Sequence, residues 1–503
     1  MSTPPYVVRD DETERARADL AHLYPPAANV GSLKLSRLRF WRVIAESVGI
    51  QGPTGGVVIT AAILAGISGG GTALVQVIAA VAMSFVAYAF VLFTRSFNSA
   101  GSVYGFTGAV AGPTFGFLSV WTLILVYINF AGGVYASTAD EAQVAFATLG
   151  VHSPWPVYAV VIAAFVTVLA FLDIRITATL ILLVEGIAMV LVIVASLIIT
   201  VKGGYHHHAL SSAPFRASGL SGAGLGLGTV YAFSIFSGFE GAATLGEEAA
   251  RPRRNVPRAI WISLVVVAAY AILVSAVVQN AFPSIQALSR SPVPLVSVTN
   301  TYVSPWFGDL INWGAVMSSF GAALALVVGA SRMVFALGRD GVGPRFLRRT
   351  SDRTGAPTGA VALVAAVSFA LLFSFLWERQ VTTAVAVILT YGADLIIVAY
   401  LLVVIAALVL VVRTRMPWYR GAILVVGVAV LTYVLKETFL PLPPGPYRWD
   451  FYVAVASLSI GLAIPRLSPR LRTRMAASPL LHAGSRRLIG EKAPPVMSRG
   501  DLE

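Results

Sequence analysis

Three carboxylates stand inside long apolar stretches of this 503-residue chain: Glu185 in LILLVEGIAMV, Glu240 in SIFSGFEGAATL and Asp394 in LTYGADLIIV. On insertion scales an ionised acid at the centre of a membrane helix costs about 2.5–3.5 kcal/mol, so each needs a reason. The chemistry open to them is proton exchange, because desolvation favours the neutral acid and a nearby charge or an opening event reverses that preference. Each also has a plainer reading as a neutral or water-bonded structural acid. For Glu240, which stands between two glycines in Gly238-Phe239-Glu240-Gly241, the plainer role is to accept from liberated N–H groups. Glu46, nearer the start of its run, is expected to snorkel or to pair with a loop arginine. Other constellations offer less. His206, His207 and His208 lie in a Gly- and Ser-rich loop without a carboxylate or cysteine at ligand spacing, and Gly224-Leu225-Gly226-Leu227-Gly228 lacks the Lys-Ser/Thr and preceding strand of a phosphate loop. No Ser-His-Asp set offers a basis for an enzyme, no metal or cofactor motif is recognised, and the absence of cysteine excludes disulfides.

Two glycine- and proline-rich interruptions could use such acids. In AESVGIQGPTGGVVITAAILAG, Pro53 has no N–H and Gly52, Gly55 and Gly56 tolerate unusual backbone angles, so a broken helix is expected. Backbone groups freed at membrane depth are tolerable only against protein or a watery cavity, which makes a break a pointer to a binding site. The alternative is a small-residue helix contact. A second interruption, Ser237-Gly238-Phe239-Glu240-Gly241, lies in a later run. Together they offer opposite poles. The half-helix beginning after Thr54 presents N–H groups and a positive dipole end to an anion, while carbonyls at helix C-terminal ends accept from an ammonium. A zwitterion fits this pair, with Pro53, Thr54, Gly55 and Gly56 on its carboxylate and the Ile50 to Gly52 and Phe236, Ser237 and Gly238 backbones on its amino group.

The elements that carry these residues are membrane spans. Hydrophobic residues make up 57% of the chain and charged ones 12%, more apolar surface than a soluble protein can hide. Runs near twenty residues recur at 43–68, 72–94, 115–138, 155–173, 176–201, 225–248, 257–280, 308–338, 357–376, 381–412, 419–439 and 449–465, each sufficient for about 30 Å of hydrocarbon. Twelve spans place both termini on one side. If that side is the cytoplasm, it holds 30 of the 36 Lys and Arg, the distribution of the positive-inside rule. The basic loops then contact anionic lipid, and a nucleic-acid role is not supported, since no basic stretch carries interleaved aromatics. The expected organisation is a cytoplasmic tail (1–42), a five-span half (43–201), an outer loop (202–224), a second half (225–412), two further spans (413–465) and a basic cytoplasmic tail (466–503). The breaks occupy corresponding places in the two halves, as an inverted repeat requires.

The stretch AFSIFSGFEGAATLGEEAARPRRNVPRA, from Ala232 to Ala259, resembles the span-six signature of the amino acid–polyamine–organocation superfamily. SAGSVYGFTGAVAGPTFGFLSVW (Ser99 to Trp121) and ASRMVFALGRDGVGPRFLRRTSDRTGAPTGA (Ala330 to Ala360) are similar to the start of its span three and to the end of its span eight. The resemblance implies an all-α polytopic protein of the leucine-transporter type, two inverted five-helix repeats plus two peripheral helices. The implied activity is alternating-access transport of an amino acid across the cytoplasmic membrane, by proton symport or exchange. An amine or polyamine transporter is the alternative, and a non-concentrating channel or sensor stands further off. Selectivity is expected from Tyr127, Asn129, Phe233, Phe236 and Phe239, and a sodium site, if sodium rather than a proton drives transport, from Ser318 and Ser319. Where many members carry a G-S-G-I-F type segment, this chain has Gly52-Pro53-Thr54-Gly55-Gly56.

Overall fold

The computed structural model describes residues 38–95, 97, 101–220, 222–440 and 448–476, so most of both expected tails falls outside it. Among these residues the secondary structure is helical, with two isolated bridges, Leu38–Ala249 and Gly69–Leu220, and no strand. The first span is two helices, α1 (Phe40–Gln51) and α2 (Pro53–Ser68), joined through Gly52 at φ 49°, ψ 52°. Glycine adopts that left-handed corner without the Cβ penalty, and Pro53 opens α2 in the first turn, where a missing N–H leaves no helical bond unmade. Then come α3 (Thr72–Thr94), the short α4 (Val103–Ala111), α5 (Pro113–Ala147), α6 (Trp155–Ala170) and α7 (Ile174–Lys202).

The second interruption is equally real. Helix α8 (Gly222–Phe236) stops, the chain turns through Gly238 at φ 109°, and a single helical turn, α9 (Gly241–Thr244), follows. Helix α10 (Pro252–Ala281) leads through the short α11 (Ile285–Ser289) and α12 (Pro294–Tyr302) to α13 (Pro305–Arg339). The chain closes with α14 (Thr358–Phe373), α15 (Val381–Arg413), α16 (Trp418–Phe439), α17 (Arg448–Leu467) and α18 (Pro469–Ala476).

Among the described residues nine stretches, with α1 and α2 counted together, are long and apolar enough to cross a membrane. Helices α6 and α14 are shorter apolar helices, and the broken α8–α9 pair lies outside the nine. The chain is a multi-pass membrane protein. Helix α13 buries 94% of its most apolar stretch, against 28% for α16 and 22% for α17, so α13 is the central post and the last two long helices lie at the periphery. Helices α5 and α7 pack on α13, and α15 packs along α5. One boundary matters for the site. The third span, expected to end at 138, continues as helix to Ala147, because the alanines of STADEAQVAFA sustain it through Asp140 and Glu141.

Candidate functional site

The corner at Gly52 frees the first N–H groups of α2, and two elements, α7 and α13, supply their partners. Thr54 donates its backbone N–H to Glu185 Oε1 at 3.1 Å and its hydroxyl to the same oxygen at 2.9 Å. Gly55 N–H donates to Ser318 Oγ at 3.1 Å, and the Ser318 hydroxyl also bonds Glu185. Tyr270 Oη stands 3.1 Å from Thr54 Oγ1. A carboxylate on α7 and a hydroxyl on α13 thus cap the positive end of α2, which lends Glu185 the stabilisation a helix N-terminus gives an anion. The expectation of free N–H groups at Thr54 and Gly55 is corrected here. Those donors are satisfied, Thr54 by the acid expected to stand in an apolar run and Gly55 by Ser318.

Close approach explains the glycines. A Cβ added at Gly55 would collide with Ser319 Oγ, and one at Gly52 would stand 2.9 Å from the Ala322 Cβ. Ser319 Oγ in turn donates to Glu141 Oε1 at 3.1 Å. Ser318 and Ser319 therefore face the break, each engaged in a hydrogen bond.

At the second break the acid belongs to the break itself. Gly238 N–H donates to Glu240 Oε2 at 3.1 Å, Tyr400 Oη donates to the same oxygen at 2.7 Å, and Tyr127 Oη donates to Oε1 at 3.0 Å. Glu240 is fully buried, and these donors account for both of its oxygens. Phe239 packs edge-on against Phe90, with ring centroids 5.8 Å apart, and against Tyr400 at 5.6 Å, so its ring belongs to a cluster between α3 and α15. Phe233 and Phe236 are buried, and Ser237 bonds its own helix at Phe233 O.

The two breaks touch. Ser47 Oγ donates to Phe239 O at 2.6 Å and accepts from Ala242 N–H at 2.9 Å, a single hydroxyl serving both sides of the span-six corner. The Ile50 side chain seats against Gly238 and Gly241, where a Cβ on either glycine would collide with it. The space expected to admit an amino group between the Ile50 to Gly52 and Phe236 to Gly238 backbones is, in this conformation, filled by Ile50 where it meets Gly238. The two breaks thus bring buried acids together inside a multi-pass bundle, and similarity to known proteins places the chain in a family. The amino acid permease family matches residues 38–460. The chain belongs to that family, within the amino acid–polyamine–organocation superfamily.

Its relatives include a branched-chain amino acid permease, BcaP, of Bacillus subtilis, 26% identical over 80% of this chain and 84% of the relative. A mitochondrial cationic amino acid transporter of Arabidopsis thaliana is 26% identical over 70% of this chain and 59% of its own length. The low-affinity putrescine importer PlaP of Escherichia coli is 26% identical over 61% of this chain and 68% of the importer.

Several residues of the permease stand elsewhere than the sequence suggested. Tyr127 and Asn129 cannot share a face, since two residues turn an α-helix by about 200°. Tyr127 points at Glu240, whereas Asn129 bonds its own helix at Leu125 O and borders Gly392 of α15. Asp394 is buried on α15 with Asp450 of α17 as its charged neighbour. Glu46 does not snorkel. It is fully buried with no hydrogen bond to either oxygen, beside a buried Arg332 that grips Glu248 at 2.5 and 3.2 Å. Arg332 is therefore an interior cation. Arg339 and Glu247 add a second pair at 2.7 and 2.9 Å, and Leu38 bonds the backbone of Glu248 and Ala250, so these contacts tie the segment after the span-six break to α13 and to the start of α1. Sequence reasoning missed Glu141, Ser47, Tyr270 and Tyr400. Only Glu141 carried a signal, as an acid one helical turn past the expected span end.

Proposed function

We propose that the protein is a secondary active permease for amino acids, working by alternating access and coupled to protons through Glu185. The observation that carries this reading is the Glu185 carboxylate on the N–H and hydroxyl of Thr54 at the start of α2. A substrate carboxylate seeking Thr54 and Gly55 must displace another anion. Two like charges about 4 Å apart repel by about 4 kcal/mol at an effective dielectric of about 20, so both do not occupy that helix end together. Protonating Glu185 removes the conflict. The proton and the substrate then favour one another's binding, which is the thermodynamic content of symport.

The reading includes twelve spans as two inverted five-span halves, 43–201 and 225–412, with both termini cytoplasmic. The paired breaks at Gly52 and Gly238, the peripheral α16 and α17 and the basic loops support it. A proton is favoured over sodium because the Ser318 and Ser319 hydroxyls are both committed to hydrogen bonds. The pairs Arg332–Glu248 and Arg339–Glu247 form the gate that parts on opening to the cytoplasm. An amine substrate is the second reading, favoured by the number of acids at the breaks.

Uptake of labelled amino acids and amines into proteoliposomes, under proton and sodium gradients imposed separately, tests the proposal. Saturable accumulation driven by the proton gradient is expected. Accumulation driven by sodium alone would contradict the coupling, and no saturable uptake or exchange of any compound would contradict the permease.

A further inference from the structure

Glu141 takes no part in capping either break, yet its carboxylate stands against one of them. Oε1 accepts from Ser319 Oγ, while Oε2 is shut off from solvent and has no hydrogen-bond partner. A Cβ added at Gly55 would lie 3.6 Å from Oε1, which places the group over the first turn of α2. Asn312 Nδ2 bonds the Glu141 carbonyl at 3.4 Å and fixes this part of α5 against α13. The charged groups near Glu141 are acids, Asp140 and Glu185. The ion pairs among the described residues are Arg332–Glu248, Arg339–Glu247 and Lys436–Glu437, and none involves Glu141. Glu185 and Glu240 have several donors each, whereas Glu141 has one donor and an idle oxygen. A buried acceptor left unmade is costly, and what would complete this one is an N–H donor that brings positive charge.

We infer that Glu141 binds the ammonium group of the permease's cargo. This rests on the reading of the span-one break as the cargo site. An α-amino acid carries its ammonium and carboxylate on one carbon. With the carboxylate on the Thr54 and Gly55 N–H groups, the ammonium needs an acceptor just beside Gly55, and Glu141 is there. An amine without a carboxylate uses the same acid and leaves Glu185 in place on α2. The shared chemistry is a primary ammonium, and a carboxylate lacking one meets Glu141 as a like charge.

The test compares wild type, Glu141→Gln and Glu141→Asp in proteoliposomes with labelled L-leucine, L-lysine and putrescine. Unlabelled 4-methylpentanoate, leucine without its amine, serves as competitor. For every probe that the wild type carries, Glu141→Gln is expected to raise KM about thirtyfold or more with kcat little changed, the loss of one charge-assisted contact. Glu141→Asp recovers most of that loss, and 4-methylpentanoate competes better against Glu141→Gln than against wild type. A rise for the amino acids alone assigns an α-amino acid cargo, and a rise that includes putrescine assigns any primary amine. Unchanged KM in Glu141→Gln while the wild type transports overturns the role of Glu141 and leaves the permease standing. Absence of saturable uptake by the wild type overturns both. Should Glu141→Gln not reach the membrane, Glu141→Asp decides alone: a KM raised severalfold at unchanged kcat supports the assignment, and a wild-type KM overturns it.

Discussion

The two broken helices answer one electrostatic demand in opposite ways. At Gly238 the freed N–H finds its acceptor two residues along the same chain, in Glu240, and two tyrosines from other helices hold that carboxylate still. At Gly52 the acceptors for Thr54 and Gly55 come from Glu185 and Ser318, more than a hundred residues away on α7 and α13. A cap within the break moves with it and is not displaced when the surrounding helices shift. A cap lent by another helix can be withdrawn or replaced by a ligand of the same charge. The span-six break is on this account a fixed corner, and the span-one break is the exchangeable site.

The comparison can be broken at several points. The largest effect is expected from Gly55→Leu, which drives a side chain into Ser319 and the space beside Glu141. Uptake should fall below detection while the protein still inserts, as followed by membrane fractionation and substrate binding, and normal binding would remove the span-one break from the site. Glu240→Ala strands Gly238 N–H and the Tyr127 and Tyr400 hydroxyls together, and should cost about 3 kcal/mol of stability, read as thermal unfolding in detergent. Wild-type stability in that variant would mean that the span-six corner is not held by its own acid. Ser47→Ala removes one hydroxyl that serves both Phe239 O and Ala242 N–H, with an expected loss of about 1–3 kcal/mol in the same assay. The smallest effect is expected from Asp394→Asn. Because the charged neighbour of Asp394 is Asp450 and not an acid of either break, the pH profile of uptake should be unchanged, and a flattened profile would draw α15 into proton coupling.

Both breaks were legible in the sequence because glycine and proline write backbone geometry directly: Gly52-Pro53 is a left-handed corner followed by a helix start, and Gly238 is a turn at positive φ. The partners were not legible. Nothing local to Glu185 reveals that it meets Thr54 across 131 positions, so an acid in an apolar run looked like an isolated protonation site. Glu141 was lost for a related reason, since two adjacent acids after Thr138 mimic a loop, although the alanines around them carry the helix on to Ala147 against α13. Tyr127 and Asn129 show the reverse failure. Their spacing alone places them on different helix faces, and treating them as one pocket wall overlooked a period the sequence displays. The burial of Arg332 was not legible either, because the partner that makes it tolerable, Glu248, is 84 residues distant.

The exchangeable cap is tested most directly by Glu185→Gln in proteoliposomes, with accumulation under an inward proton gradient compared with exchange against preloaded unlabelled cargo. The neutral amide mimics the protonated acid and puts no competing anion at the start of α2 at any pH. Exchange should therefore persist while the proton gradient no longer drives accumulation and uptake loses its pH dependence. Accumulation by Glu185→Gln that follows the proton gradient as the wild type does would contradict the assignment of Glu185 as the group that carries the proton.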